Sequence, residues 1–271
     1  MDSIIDEQKT NLAKRVVTAI TRYPQPKEIF NAITTKEWSY SIDNQESYAI
    51  RDKAMISLTE CTAGRISEVT GGPKFQRIYV AGLHKNPYDK RNWQTEIIGK
   101  HQGLQTENLT TDQNFIYIKG MIVVKRSKKI IQKHGVSAAT RPDFVIPLKL
   151  DLFDNPFWNQ LVPFGWLIIE YLRKHAPVKG KLFPFEDTRA YQIIREVTGN
   201  YPNWFRAQAE NFYGHYLLPD TIKLSKFVNI QDPKHVKHYI GYSWDEQLKD
   251  RTMSISFDWI EPAIEEIQER L

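Results

Sequence analysis

The sequence predicts a mainly α-helical chain carrying a small antiparallel β-sheet, an α+β fold. Three observations lead there. Apolar residues recur at helical spacing along most of the chain, β-branched and aromatic residues concentrate between about 115 and 148, and no internal repeat or low-complexity linker divides the sequence. A chain of 271 residues, 41% hydrophobic and 12% aromatic, has ample material for a sizeable core.

Taken in order, residues 8–22 read as a short amphipathic helix closed by Pro24 and Pro26. A second helix is expected from Pro26 to Thr34, and a long one from Gln45 to Thr59 with Ala54, Met55, Ile56 and Leu58 as apolar positions. Between Gly71 and Gly103 turn formers abound and apolar runs are short, so this stretch is expected as an insertion or extended loop region. Strands are expected in FIYIKGMIVVKRSKK and, after a break, in DFVIPL (143–148). Helical spacing resumes at 157–174, 187–197, 203–217, 221–228 and 233–250, with a last helix at 257–271. The expected organisation is an N-terminal helical arm (1–27), one mostly helical domain (28–250) with insertions at about 71–103 and 130–142, and a C-terminal helix (251–271). On that last helix Ile260, Ile264, Ile267 and Leu271 share a face opposite acidic residues, a surface for packing in cis or on a second protomer.

Composition narrows the function classes. No stretch approaches the roughly 20 apolar residues of a membrane helix, and MDSIIDEQKT is too polar and acidic for a signal peptide, which points to cytoplasmic residence. One cysteine, Cys61, excludes an intramolecular disulfide and a cysteine-based zinc cluster, and the seven histidines lack a HExxH-type spacing, so no metal or other cofactor is expected. The net charge of +5 and the sequence pI near 9.0 favour a polyanionic partner. Basic residues cluster at 125–134 and recur at 223–238, while the C-terminal stretch is acidic.

The most informative short run is CTAGRISEV (61–69). An apolar helical pattern breaks at Thr-Ala-Gly, presents Arg65, and resumes at Ile66 and Val69, with Glu68 three residues on. A lone arginine here would pass as a surface residue. Downstream, however, lie a lysine cluster at a strand end (VVKRSKK), an N-x-x-R element at Asn203–Arg206, and a tyrosine, Tyr239, behind the basic KHVKH.

In that order the elements resemble the tyrosine recombinase, or phage-type integrase, family over roughly residues 28–245. RDKAMISLTECTAGRISEV resembles the segment that carries the family's first catalytic arginine, at Arg65, with Glu68 as its acidic companion. GMIVVKRSKK followed by DFVIPL resembles the hairpin that delivers the catalytic lysine; Lys128 matches best, with Lys125 and Lys129 as alternatives. NWFRAQ resembles the His-x-x-Arg box, which makes Arg206 the second arginine, and LSKFVNIQDPKHVKHYIGY resembles the stretch that ends at the nucleophile, at Tyr239. Tyr242 is the rival nucleophile, one helical turn on.

This sequence departs from the family pattern twice. Asn203 stands where the box usually has His, and Ile230 where the family usually has His or Trp; isoleucine neither donates a hydrogen bond nor transfers a proton. His235, one turn before Tyr239, is a candidate substitute, although its lysine neighbours read more simply as a solvated surface. The N-terminal 1–27 is shorter than the separate core-binding domain usual in the family, so the expectation is a fragment or a short form engaging DNA through one domain.

The resemblance implies a tyrosine-recombinase-like catalytic domain, duplex DNA as partner, self-association as a dimer or tetramer on DNA, and a site-specific recombinase or integrase working through a 3′-phosphotyrosyl intermediate. The chemistry is self-consistent. Two always-ionised, forked guanidiniums suit the equatorial oxygens of a pentacoordinate phosphorus, a lysine supplies the proton that the leaving 5′-oxygen needs, and the phenol gains from the positive field. Two alternatives remain: a catalytically degenerate DNA-binding protein of the same fold, and a topoisomerase-like DNA-relaxing enzyme.

Overall fold

In the computed structural model the described residues are 25–38, 40, 45–80, 93–123, 140–185, 187–199, 201–218, 220–228 and 256–271. Helix α1 (Pro26–Thr34) starts with proline at its first position, where a missing N–H costs nothing, and the Glu28 carboxylate accepts from Gln25 N at 2.7 Å. It buries Ile29, Phe30 and Ile33. Helix α2 (Gln45–Thr62) is the central strut: from Ile50 onward nearly every position is buried, polar ones included, as expected of a helix packed on all sides. Its buried hydroxyls are satisfied within the helix, Ser57 Oγ by Lys53 O and Thr59 Oγ1 by Met55 O.

After the short helix α3 (Ile66–Thr70), strands β1 (Gly72–Tyr79) and β2 (Trp93–His101) form an antiparallel two-stranded ribbon. This corrects the expected loop region at 71–103. The hydrophobic alternation that signals a strand requires one buried face, and in β2 Glu96 and Ile97, neighbours on opposite faces, are both exposed.

A three-stranded antiparallel sheet follows, in the order β3 (Leu109–Thr111), β4 (Phe115–Ile118), β5 (Phe144–Pro147). Strand β3 is short and was not among the expected elements. Ile116 pairs with Ile146 and Ile118 with Phe144, so the expected strand opposite DFVIPL is FIYI; Met121–Val123 continue beyond it only through an Ile122–Thr140 bridge and the bond from Arg141 N to Met121 O at 2.8 Å.

Helix α4 (Val162–Lys174), entered through a 3₁₀ segment at Pro156–Leu161, packs against α2 and the sheet, with Trp166 Nε1 donating to Leu148 O at 2.9 Å. Helices α5 (Asp187–Thr198), α6 (Pro202–Phe212) and α7 (Thr221–Phe227) complete the described bundle; α6 ends in a π turn (Tyr213–Leu217), and the Asp220 side chain caps α7 by accepting from Ile222 N and Lys223 N. Helix α8 (Ile260–Glu269) lies in cis on α4, burying Ile260, Ala263 and Ile267, with Arg270 paired to Glu170 at 3.3 Å. Its own chain therefore covers Ile260 and Ile267 of the apolar face, while Leu271 stays exposed. Among the described residues no helix is long and apolar enough to cross a membrane. The helices expected at 8–22 and 233–250 lie outside the described residues.

Candidate active site

The turn that closes α2 presents the first candidate residue. Thr62 Oγ1 accepts from Gly64 N at 3.1 Å, and Ala63 takes a left-handed backbone, φ 45°, a conformation that costs an L-residue about 1–2 kcal/mol. A Cβ on Gly64 would stand 2.7 Å from both Thr62 Oγ1 and Met121 Cε, so a side chain there requires both to shift. Arg65 then caps α3. Glu68, three residues on, accepts from Arg65 N at 3.0 Å and pairs with Arg65 Nη1 at 2.9 Å, holding backbone and side chain of the same residue. Glu68 is 1% exposed, whereas the Arg65 side chain keeps 20% of its surface in solvent.

Arg206 reaches the same turn from α6. Its Nε donates to Ala63 O at 3.0 Å, its Nη2 donates to Val228 O at 2.6 Å, and Nη2 lies 2.6 Å from Glu210 Oε1, one helical turn along. One buried guanidinium thus ties the α2–α3 turn to the last described residue of the α7 end. Asn203 sits on the exposed side of the first turn of α6.

A third guanidinium, absent from the sequence-based candidates, completes the cluster. Arg141, at the start of the return toward β5, is 2% exposed; it donates from Nη2 to Phe227 O, lies 3.6 Å from Glu68 through Nη1, and stacks between Phe144 and Phe227 at 5.7 and 5.5 Å. Its Nε and Nη1 find no hydrogen-bond acceptor among the described residues. The motif Thr-Arg-Pro before a strand carries no local signal of burial; only the pairing with Glu68 does.

Three arginines and two glutamates therefore share one partly enclosed volume. Burial alone would raise the Glu68 carboxyl, but Arg141 first, then Arg65 and Arg206, outweigh it and hold Glu68 below the ordinary range. Glu210 goes the other way: its burial outweighs Arg206, Arg65 and Arg141, and Glu68 adds repulsion, so its carboxyl is raised despite the 2.6 Å contact. Burial brings Arg141 down to about 10, opposed by Glu68 and assisted by Arg206. With both carboxylates ionised the cluster carries a formal charge of plus one, and any protonation of Glu210 increases it. An oxyanion with spread charge is the ligand such a cluster suits.

The structure brings together Arg65, Glu68 and Arg206. Lys128 with its alternatives Lys125 and Lys129, Tyr239, Tyr242, His235 and Ile230 lie outside the described residues. Compared with known proteins, the chain matches no family model, no curated protein and no solved structure.

Proposed function

We propose that this protein cleaves and rejoins duplex DNA through a 3′-phosphotyrosyl intermediate, as a recombinase or integrase of the tyrosine recombinase type. The observation that carries the reading is the convergence of Arg65 and Arg206 on one turn: the Arg206 guanidinium bonds Ala63 O across 143 residues of sequence, two residues from Arg65. Arg65 stands partly exposed on that turn and the buried Arg206 reaches it from α6, and two guanidiniums converging on one point suit the charge of a scissile phosphate.

In this reaction the Tyr239 phenol releases its proton to solvent as its oxygen attacks phosphorus, the bond to the 5′-oxygen breaks, and Lys128 donates the proton that the leaving oxygen takes up. Arg65 and Arg206 offset the charge on the equatorial oxygens, and Asn203 donates to one of them from the first turn of α6. Rejoining is the reverse attack by a 5′-hydroxyl, and the phosphotyrosyl ester conserves the bond energy between the two steps. Glu68 and Arg141 position rather than react: Glu68 fixes the Arg65 fork, and Arg141 fixes Glu68.

A second reading, a DNA-binding protein of the same fold without activity, is favoured by Asn203 and Ile230 and by the engagement of Arg206 with two carbonyls and Glu210. A nicked suicide duplex separates the two. The enzyme accumulates a covalent protein–DNA adduct, with or without chelator, that Arg65→Ala reduces by a factor of about 100 or more. Tight binding with no adduct would establish the inactive binder instead.

A further inference from the structure

Helix α7 ends on two carbonyls of the kind that a helix leaves without an internal partner, Phe227 O and Val228 O, and each accepts from a buried guanidinium. Arg141 Nη2 donates to Phe227 O, and Arg206 Nη2 donates to Val228 O at 2.6 Å. The two arginines come from different elements, one leading into β5 and one on α6. The end of α7 is thus fastened to the same group of side chains that holds Arg65.

Packing alone does not account for Arg141. Its backbone is held by the bond from Arg141 N to Met121 O, and its guanidinium stands between Phe144 and Phe227, whose ring centroids are 5.8 Å apart. The Phe227 ring is held in turn by Tyr213, at 4.4 Å. Among the described residues the bond to Phe227 O is the one hydrogen bond that the Arg141 side chain makes, while Nη1 stands 3.6 Å from Glu68. An apolar side chain of similar volume would fill this space without the desolvation of a cation. What the guanidinium adds is a link from Glu68, the acid behind Arg65, to the carbonyl at the end of α7. Eleven residues beyond Val228 the sequence reaches Tyr239.

We propose that Arg141 is a positioning residue for the nucleophile: it fixes the end of α7, from which the chain runs on to Tyr239, relative to the Arg65 that Glu68 holds. This rests on the cleavage reading above. The attacking oxygen and phosphorus must meet in a near-attack geometry, and a misplacement of about 1 Å by a change far from the chemistry slows such a step about 100-fold. Arg141 touches neither reactant. Its loss therefore lowers the rate of the covalent step and leaves the affinity for DNA in place. Lysine keeps the charge beside Glu68 but lacks the planar fork that reaches Phe227 O at the same time, so Arg141→Lys cuts one link and preserves the other.

The test uses the full chain and measures, on one nicked suicide duplex, the dissociation constant and the single-turnover rate of adduct formation at saturating DNA. Wild type is compared with Arg141→Lys, Arg141→Met, Glu68→Gln and the double variant Glu68→Gln, Arg141→Lys, at a temperature where thermal unfolding shows each to be folded; if Arg141→Met does not fold, Arg141→Lys carries the comparison. Arg141→Lys is expected to lower the rate about 10- to 100-fold and to change the dissociation constant less than about twofold. Hydrogen exchange is expected to speed up over 221–228 and to stay as in wild type over α1. The rate falls again when Arg141→Lys is added to Glu68→Gln, because the hold on α7 acts apart from the pair behind Arg65. An unchanged rate overturns the proposal, as does weaker binding with the wild-type rate at saturation, which would place Arg141 in the phosphate clamp. A fall that disappears in the Glu68→Gln background also overturns it, since Arg141 would then act through Arg65 alone. In each of these cases the wild-type adduct leaves the cleavage reading standing, whereas a wild type that forms no adduct overturns that reading and this proposal with it.

Discussion

Arg206 Nε donates a hydrogen bond of 3.0 Å to the carbonyl oxygen of Ala63, and Ala63 accepts it from a left-handed backbone with φ 45°. The strained turn that presents Arg65 is thus held from another part of the chain. The same guanidinium reaches Val228 O, so one side chain joins the α2–α3 turn to the end of α7. Lysine keeps the charge but cannot span both carbonyls while pairing with Glu210. Arg206→Lys is therefore expected to lower stability by about 2–4 kcal/mol, since hydrogen bonds from a charged donor contribute about 1.5–3 kcal/mol each. Urea unfolding measures it, and an unmoved midpoint at constant slope would show that the turn stands without the fork.

Arg141 is expected to act on Glu68 rather than on DNA. The Glu68 carboxyl is depressed in the folded protein, so its contribution is present above the ordinary value of 4.5 and is lost as pH falls through the lower folded value. Removing Arg141 removes the largest lowering influence. Arg141→Met is expected to cost up to about 3 kcal/mol at neutral pH, because the buried Glu68 loses its ion pair with Arg141. The difference between variant and wild type should narrow below pH 4.5. Stability curves that stay parallel across that range would contradict the assignment.

Glu60 gives a pH dependence of opposite sign. It is fully buried on α2, accepts from Gln208 Nε2 at 3.2 Å through Oε1, and its Oε2 has no hydrogen-bond partner among the described residues; burial pushes it up to about 8. Between 4.5 and about 8 the folded chain holds a proton that the unfolded chain has released, so stability falls as pH rises through that window and levels off above it. Glu60→Gln removes this fall. The variant is expected to exceed wild type at pH 8 and to approach it near pH 4, read by thermal unfolding across the range; equal pH profiles would place the titrating group elsewhere.

How much of this was legible in the sequence follows from how local each signal is. Helix α1 was read with its observed bounds because proline at the start and the apolar spacing lie within nine residues. The Arg65–Glu68 pair was legible for the same reason, since three residues separate a cap from its acid. Arg141 was not, because what buries it is Glu68 and Phe227, both remote in sequence. The ribbon β1–β2 escaped because described residues on both faces of β2, Glu96 and Ile97 among them, are exposed, so no alternation of apolar and polar residues marks it. The apolar stripe of α8 was visible in the sequence, but its cover, α4 of the same chain, is a tertiary fact that periodicity does not encode.

The central claim is that an arginine clamp built on Arg65 and Arg206 serves a tyrosine nucleophile, and covalent trapping tests it most directly. Wild type, Tyr239→Phe and Tyr242→Phe are each incubated with a nicked suicide duplex, denatured, and resolved for a protein–DNA adduct. The account predicts an adduct for wild type and Tyr242→Phe and none for Tyr239→Phe, with digestion of the adduct placing the nucleotide on the peptide that contains Tyr239. An adduct that persists in Tyr239→Phe would contradict it.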